Sequence, residues 1–477
     1  MTTRVTVIGG GPGGYVAAVR AAQLGAEVTV IEKGNVGGVC LNWGCIPTKT
    51  LMATTELAEK LKKGSDLGLR LAGEPEIDLE ALMDRKEKVV QGLIKGIHGL
   101  FKHHDIRLLQ GEARLQQPGR LRLLGPDGSQ EEVEWDRLIL ATGSRSKSVP
   151  GMSIDGERIL SSRHLLSLRQ MPQKVLIVGG GVIGCEFASL LKGLGVEVTV
   201  VEAMDRLLPL PSVEADCAKL LGREMKKRKI PFMLNRSVQS CRERGGRLAV
   251  SLGASPFMDQ DQASRVQPSE LVADAVVMCV GRAPNHDDLG LEGVGVAMDE
   301  AGWVSVDEGM RTSAGNIYAV GDMLGPSRVQ LAHTAYAEAA VAAENAMGGQ
   351  ASMSYQAVPG AIFTSPEIAG VGLTEEQARQ QGFEVETSSS LFRTLGKAQA
   401  SGEIAGQGKI IYDQRDGKIL GLHLIGPKVT ELIAEGTLAL HLGAGIEDIA
   451  ATIHPHPTLS EILPEMAWKA LGRSLHG

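Results

Sequence analysis

Two stretches of this chain, offset by 170 residues, follow one pattern, and that repeat limits the possible folds more than any other feature. Val5-Thr6-Val7-Ile8-Gly9-Gly10-Gly11-Pro12-Gly13-Gly14 is matched by Val175-Leu176-Ile177-Val178-Gly179-Gly180-Gly181-Val182-Ile183-Gly184. Leu24-Gly25-Ala26-Glu27-Val28-Thr29-Val30-Ile31-Glu32 is matched by Leu194-Gly195-Val196-Glu197-Val198-Thr199-Val200-Val201-Glu202. Each copy reads as a short buried strand, a glycine turn, a helix, a Leu-Gly stop and a second buried strand ending in glutamate. That is the βαβ unit of a parallel sheet, so the fold class is α/β with two Rossmann-like units.

The glycines have separate tasks. The first (Gly9, Gly179) permits the tight turn, and the second (Gly11, Gly181) lets backbone approach a pyrophosphate. The third (Gly14, Gly184) lets helix pack closely on strand. Phosphates then sit at the helix N-terminus, where free N–H groups and the helix dipole favour an anion. Glu32 and Glu202 are placed to accept from ribose hydroxyls and would repel a 2′-phosphate. Two dinucleotide sites in one chain point to FAD and NAD(H). Two empty glycine turns are the bland alternative, and the register of strand, helix and acidic residue in both copies disfavours it.

Three further segments, 136–143, 273–281 and 315–322, read as strands ending in small residues: Thr142-Gly143, Gly281 and Gly321-Asp322. Short side chains at a strand's carboxyl end leave room for a ligand, although such ends also occur as plain turns. Residues 332–347 read as an alanine-rich helix packed on a sheet. The first unit covers 1–150 and resumes over 281–351, with the second unit at 151–280 between them. Residues 254–270 are polar and contain two prolines, which reads as a long surface loop. The part from 352 to 477 mixes alternating strands (408–413, 419–425) with a helix (428–442) and has no glycine signature, which describes an α+β domain.

Charge and apolar patterning narrow the function. A formal net charge of −7 gives no basic footprint for nucleic acid. No apolar run reaches the roughly 18 residues of a membrane span. Met1-Thr2-Thr3-Arg4 runs straight into the first strand without a signal-like stretch, so the expected location is cytoplasmic.

Six cysteines are too few for a disulfide scaffold. Cys185 and Cys279 read as small buried residues, and Cys217 and Cys241 have no pattern. Cys40 and Cys45 differ. They lie in Gly37-Gly38-Val39-Cys40-Leu41-Asn42-Trp43-Gly44-Cys45-Ile46-Pro47-Thr48-Lys49, soon after Glu32 and so beside the first dinucleotide site. Five residues of regular helix rise about 7.5 Å, too far for an unstrained disulfide, but Gly44 and Pro47 permit a distorted turn. A thiol at a helix N-terminus has a lowered pKa, which favours exchange. Two structural thiols or half of a metal site remain alternatives, but no Cys or His set at zinc spacing accompanies the pair, so no metal is expected.

Near the other end, His454-Pro455-His456-Pro457-Thr458-Leu459-Ser460-Glu461 holds His456 between two prolines. Fixed backbone aims an imidazole, and Glu461, early in a following helix, is spaced to orient it. A rigid surface loop, or a His-x-His chelate, is the competing reading.

Taken together, these motifs resemble the pyridine nucleotide-disulfide oxidoreductase family over essentially the whole chain. The resemblance implies a C-terminal interface domain at 352–477 and a homodimer. It implies non-covalent FAD held by Gly9, Gly11, Gly14, Glu32, Thr142, Gly143 and Asp322, and NAD held by Gly179, Gly181, Gly184, Glu202 and Gly281. Cys45 would face the flavin, with Cys40 exchanging with substrate. Lys49 would sit near the flavin N5, paired with Glu186, and His456 would be a base oriented by Glu461.

Within the family the match is best to the branch that reoxidises dihydrolipoamide with NAD⁺. Such enzymes serve lipoyl domains of 2-oxoacid dehydrogenase or glycine cleavage complexes. Cys40 is present where soluble transhydrogenases lack the first cysteine. The last cysteine is Cys279, so the C-terminal cysteines of mercuric reductase are missing. Glu202 stands where NADPH-linked glutathione reductases place basic groups, and the nearby Arg206 does not overturn that reading. Another NADH-linked disulfide reductase, or a redox sensor that binds both nucleotides without catalysis, are the alternatives.

Overall fold

The repeat extends from sequence into sheet topology. In a computed structural model describing residues 2–476, Arg4–Ile8 lies between Glu27–Glu32 and Arg137–Leu140. Arg107–Gln110 and Ile317–Ala319 complete a five-stranded, all-parallel sheet. Lys174–Val178 likewise lies between Glu197–Val201 and Ala275–Met278 in a second parallel sheet, closed by Phe232–Met233 and Ile159–Leu160. In both, the strand order reverses at the strand that leads into the glycine turn. That switch point opens a crevice at the strands' carboxyl ends, where ligands bind in open α/β sheets.

The strands are apolar on both faces because both faces are covered. In the second sheet Val175, Ile177, Val198 and Val200 pack on helices such as Val182–Gly193. Leu176, Val178, Val276 and Met278 pack on the antiparallel strands Arg247–Ala254 and Ser269–Ala273. Val5, Val7, Val28 and Val30 are buried, as are Val175, Ile177, Val198 and Val200. The helix Pro12–Gln23 starts with proline at its first turn and lays Gly14, Ala17, Ala18 and Ala21 on the sheet. It stops where Gly25 takes a φ of +90°, a conformation costly for residues with a Cβ. The alanine-rich helix Ala332–Ala346 packs beside it through small buried residues, with Tyr15 against Tyr336 and Arg20 paired with Glu344 along the contact.

A third sheet, antiparallel, runs Gly360–Ile362, Glu367–Gly372, Ile419–Gly426, Gln407–Asp413, Val385–Leu391. Its Ile362, Ile368 and Ile425 join the core of the second parallel sheet. Among the described residues no helix is long and apolar enough to cross a membrane.

Some expected elements are corrected. Residues 254–270 are not simply a loop: they contain the helix Gln260–Ser264, capped by the Asp259 side chain. The strand expected over 273–281 is only Ala275–Met278, because Ala273 ends the separate antiparallel strand Ser269–Ala273 and Asp274 divides the two, its carboxylate accepting the Lys174 N–H at 2.8 Å. The strand expected over 315–322 is only Ile317–Ala319, and Gly321–Leu324 forms a 3₁₀ turn that begins at a φ of +76°.

Candidate active site

The two glycine turns share the same close contacts. A Cβ on Gly9 would meet the Ala141 carbonyl at 2.3 Å, and one on Gly179 the Cys279 carbonyl at 2.3 Å. A Cβ on Gly14 or Gly184 would press into the Gly9 or Gly179 carbonyl, at 1.7 and 1.9 Å. The middle glycines differ: a Cβ on Gly181 would meet nothing within 4 Å, and one on Gly11 only Gly38 Cα at 3.6 Å. Both glycines cap their helices without a side-chain hydrogen bond. Open space and unclaimed first-turn N–H groups are what a pyrophosphate requires.

Glu32 accepts N–H bonds from Gly10 and Gly34, both at 2.7 Å. Glu202 does the same from Gly180 at 2.5 Å and Met204 at 2.7 Å. Each carboxylate oxygen keeps a second acceptor position for a ribose hydroxyl. Arg206 is turned away, donating to the Val213 and Leu210 carbonyls at 3.2 and 2.9 Å. No guanidinium therefore offsets Glu202 from that side chain, which fits a ribose without a 2′-phosphate.

The cysteine segment is held directly against the first turn. The Gly37 N–H donates to the Gly10 carbonyl at 2.7 Å, and a Cβ on Gly38 would sit 2.7 Å from Gly11 Cα. Cys40 lies in the short helix Gly38–Trp43, the chain breaks direction at Gly44, and Cys45 opens the helix Cys45–Lys62. Both cysteines are free thiols here and are hydrogen-bonded to one another. That bond, with the Lys49 charge, lowers the Cys45 pKa against the opposing effect of burial. The same bond and burial raise that of Cys40. The pair is thus polarised: Cys45 is the thiol that ionises more readily and Cys40 the hydrogen-bond donor.

Lys49 Nζ bonds both oxygens of Glu186, at 2.9 and 2.8 Å, and stands 4.2 Å from the centroid of the Phe363 ring. Glu186 also accepts the Phe363 N–H at 2.9 Å. Asp322 accepts from the Ser144 hydroxyl at 2.6 Å and pairs with Arg282 at 3.4 Å. Arg282 in turn donates to Ser144 at 2.6 Å. Thr142 and Gly143 follow the strand Arg137–Leu140, and their carbonyls accept from the side chain and N–H of Asn285, at 3.1 and 3.0 Å.

One cleft brings most of the expected residues together. It is lined by Gly9, Gly11, Glu32, Cys40, Cys45, Lys49, Thr142, Gly143, Gly179, Gly181, Glu186, Glu202, Gly281 and Asp322. Gly14 and Gly184 lie behind it as packing positions. Cys279, expected to be buried, is half-buried at the cleft wall, where loss of solvent around the sulfur pushes its thiol up to about 12. Phe363 was not legible as a site residue because nothing near it in the chain marks it, whereas Ser144 and Arg282 directly follow the marked Gly143 and Gly281 but carry no motif of their own.

His456 and Glu461 do not line that cleft. They form their own pair, with His456 Nδ1 2.8 Å from Glu461 Oε1 and the Thr458 N–H on the other oxygen at 2.8 Å. Partial burial works against it, but these two bonds hold the Glu461 carboxyl below its ordinary range. A carboxylate only accepts, so Nδ1 carries the proton and Nε2 is left as a base. Glu461 is the residue just before the helix Ile462–Ala470. The His456 side chain is 75% exposed, so its free nitrogen faces outward.

These features define a class: a two-nucleotide protein with a dithiol at the meeting of its sites. The chain belongs to the pyridine nucleotide-disulphide oxidoreductase family. The family model matches residues 3–339, and the model of the family's dimerisation domain matches 358–467. Among curated relatives, the dihydrolipoyl dehydrogenase of Haloferax volcanii is 38% identical over 476 residues, covering 99% of this chain and 97% of that protein. That of Chlamydia muridarum is 40% identical over 472 residues, covering 98% and 97%. Among solved structures, LpdA of Mycobacterium tuberculosis superposes with a TM-score of 0.88 at 30% identity, covering 98% and 100%. The HOCl-induced flavoprotein disulfide reductase RclA of Escherichia coli gives 0.84 at 26%, covering 98% and 99%.

Proposed function

We propose that this chain is a dihydrolipoyl dehydrogenase, reoxidising dihydrolipoamide with NAD⁺. One observation carries the reading: a polarised Cys40–Cys45 pair against a dinucleotide turn, in a chain that matches dihydrolipoyl dehydrogenases over its whole length. FAD, when bound, supplies a two-electron relay between the cysteine pair and NAD⁺. Gly9, Gly11, Glu32 and Asp322 would hold the flavin nucleotide. Gly179, Gly181, Glu202 and Gly281 would hold NAD⁺.

The rest is work for the chain's own residues. A substrate thiol gives its proton to His456 Nε2, and the thiolate attacks Cys40 Sγ of the oxidised pair. The S–S bond breaks and Cys45 leaves as thiolate, the better leaving group because its pKa is the lower of the two. The second substrate thiolate then displaces Cys40 Sγ, giving the cyclic disulfide product and the reduced pair. Lys49 and Glu186 hold the charge balance beside Cys45.

Because His456 faces outward, away from the cleft of its own chain, the base would be supplied by a second copy in a homodimer. The dithiol chemistry fits dihydrolipoyl groups carried on 2-oxoacid dehydrogenase or glycine cleavage proteins. The test is an assay of the FAD-loaded protein with NADH and lipoamide. Turnover abolished by Cys40→Ser is the expected result. Efficient reduction of a different small disulfide, with lipoamide inert, overturns the substrate assignment.

A further inference from the structure

The segment after the strand Arg247–Ala254 takes no part in the chemistry above, yet it is firmly built. Ser255 is 2% exposed, and its N–H donates to the Asn235 carbonyl at 3.3 Å. Its hydroxyl accepts the Phe257 N–H at 3.1 Å, and its carbonyl accepts the Met258 N–H at 3.3 Å. That closes a four-residue turn with Pro256 in second place, where its fixed φ favours turns. Asp259 anchors the far side by accepting the Gln262 N–H at 2.7 Å.

The tip of this turn is Phe257, 72% exposed, while the other six phenylalanines of the chain are buried or half-buried. A phenyl ring held in water forgoes the burial that normally fixes its place, so a rigid turn that presents one calls for a ligand. Its neighbours identify which. Phe257 and Pro256 line the same cleft as Gly179 and Glu202. Ala254 pairs across strands with Arg236, whose N–H donates to the Glu202 carbonyl at 3.0 Å. Asn235, which receives Ser255, donates to the Met204 carbonyl at 2.9 Å. The turn therefore stands beside the ribose-binding end of the second glycine module.

We propose that Phe257 is the stacking face for the adenine ring of the pyridine nucleotide, so that this segment sets coenzyme affinity. The inference rests on the reading of the second module as the nucleotide site. With Glu202 on the ribose, the base joined to that ribose would lie within reach of the turn, which is pinned beside Glu202 through Asn235 and Arg236. Stacking accepts either face of a purine and needs no hydrogen-bond partner, so the apolar Val238 and Ala254 suit it, with Arg236, Ser237 and Gln239 also lining the cleft there.

The experiment uses FAD-loaded protein and calorimetric titration with ADP-ribose and, separately, nicotinamide mononucleotide. Phe257→Ala should weaken ADP-ribose about ten-fold, within the range for one base on one aromatic ring. It should leave the mononucleotide unchanged, and Phe257→Trp should restore ADP-ribose binding. Unchanged ADP-ribose affinity in Phe257→Ala overturns the proposal and leaves the nucleotide site standing. Equal weakening of both probes also overturns it, because the effect would then not be confined to the base. If the unsubstituted protein binds neither probe, the nucleotide-site reading itself fails and the inference falls with it.

Discussion

Replacing Lys49 with methionine keeps the side chain's length and removes its charge from beside Glu186. In the intact protein, both Glu186 oxygens bond Lys49 Nζ at 2.8–2.9 Å, and only the Phe363 N–H remains as a second donor. The two side chains are 29% and 10% exposed. At an effective dielectric near 20, unit charges about 4 Å apart attract by about 4 kcal/mol. Lys49 keeps nearly a third of its surface in contact with solvent, which screens the pair and brings the expected coupling to about 2 kcal/mol. Lys49→Met should therefore cost about 2–3 kcal/mol, since it strands a mostly buried carboxylate. Lys49→Met with Glu186→Gln should cost about 2 kcal/mol less than the sum of the two single changes. The assay is urea unfolding of all four proteins at one protein and FAD concentration, because bound ligand shifts apparent stability. Strictly additive losses would refute the argument, as would a Lys49→Met protein within about 0.5 kcal/mol of the parent. A second readout has a fixed sign. Lys49 lowers the Cys45 pKa and Glu186 raises it, so removing Lys49 alone must move the Cys45 alkylation profile to higher pH.

Alkylation of the reduced protein by iodoacetamide should titrate below the ordinary thiol value of 9.0, because a lowered pKa keeps Cys45 as thiolate at lower pH. Cys40→Ala should move that inflection up, while Cys40→Ser, which retains a hydroxyl donor, should move it less. An unshifted profile in Cys40→Ala would remove the hydrogen bond as the cause. His456→Gln and Cys45→Ser proteins should each be nearly inactive with lipoamide while keeping flavin, since a general base contributes about 10²–10⁴-fold. Co-expressed, they should regain roughly a quarter of the activity, as about half of the dimers are mixed and each has one intact site. Verified mixed dimers with no recovery would put both groups in one chain. Glu202→Ala should raise the KM for NADH and narrow the preference over NADPH, and a parent protein with the better kcat/KM for NADPH would contradict the Glu202 assignment.

Both nucleotide modules were legible because their determinants are local. Gly9 and Gly14 contact one another within a single turn, and Glu32 bonds back to Gly10 across only 22 residues. The break between Cys40 and Cys45 could likewise be foreseen, since helix rise forbids the sulfurs from meeting without one and Gly44 supplies it. Polarity and proline misled over 254–270, because a five-residue helix capped by Asp259 leaves no apolar period to detect.

What the sequence by itself determined is the chemistry available: two strand–glycine–helix units, a dithiol and an imidazole with its carboxylate. Only the tertiary structure decided which of these groups meet. Glu186 reaches Lys49 across 137 residues, and Phe363 reaches Glu186 across 177, because helix packing and the third sheet bring them to one place. Ser144 and Asp322, 178 residues apart, meet because the strands that precede them, Arg137–Leu140 and Ile317–Ala319, are neighbours in the first sheet. The pairing of Cys40 with Cys45 polarises both thiols, whereas His456, held by Glu461 just before the terminal helix, lies outside the cleft. Local geometry is set by spacing along the chain. Contacts this distant are set by strand order and burial, which follow from the fold as a whole.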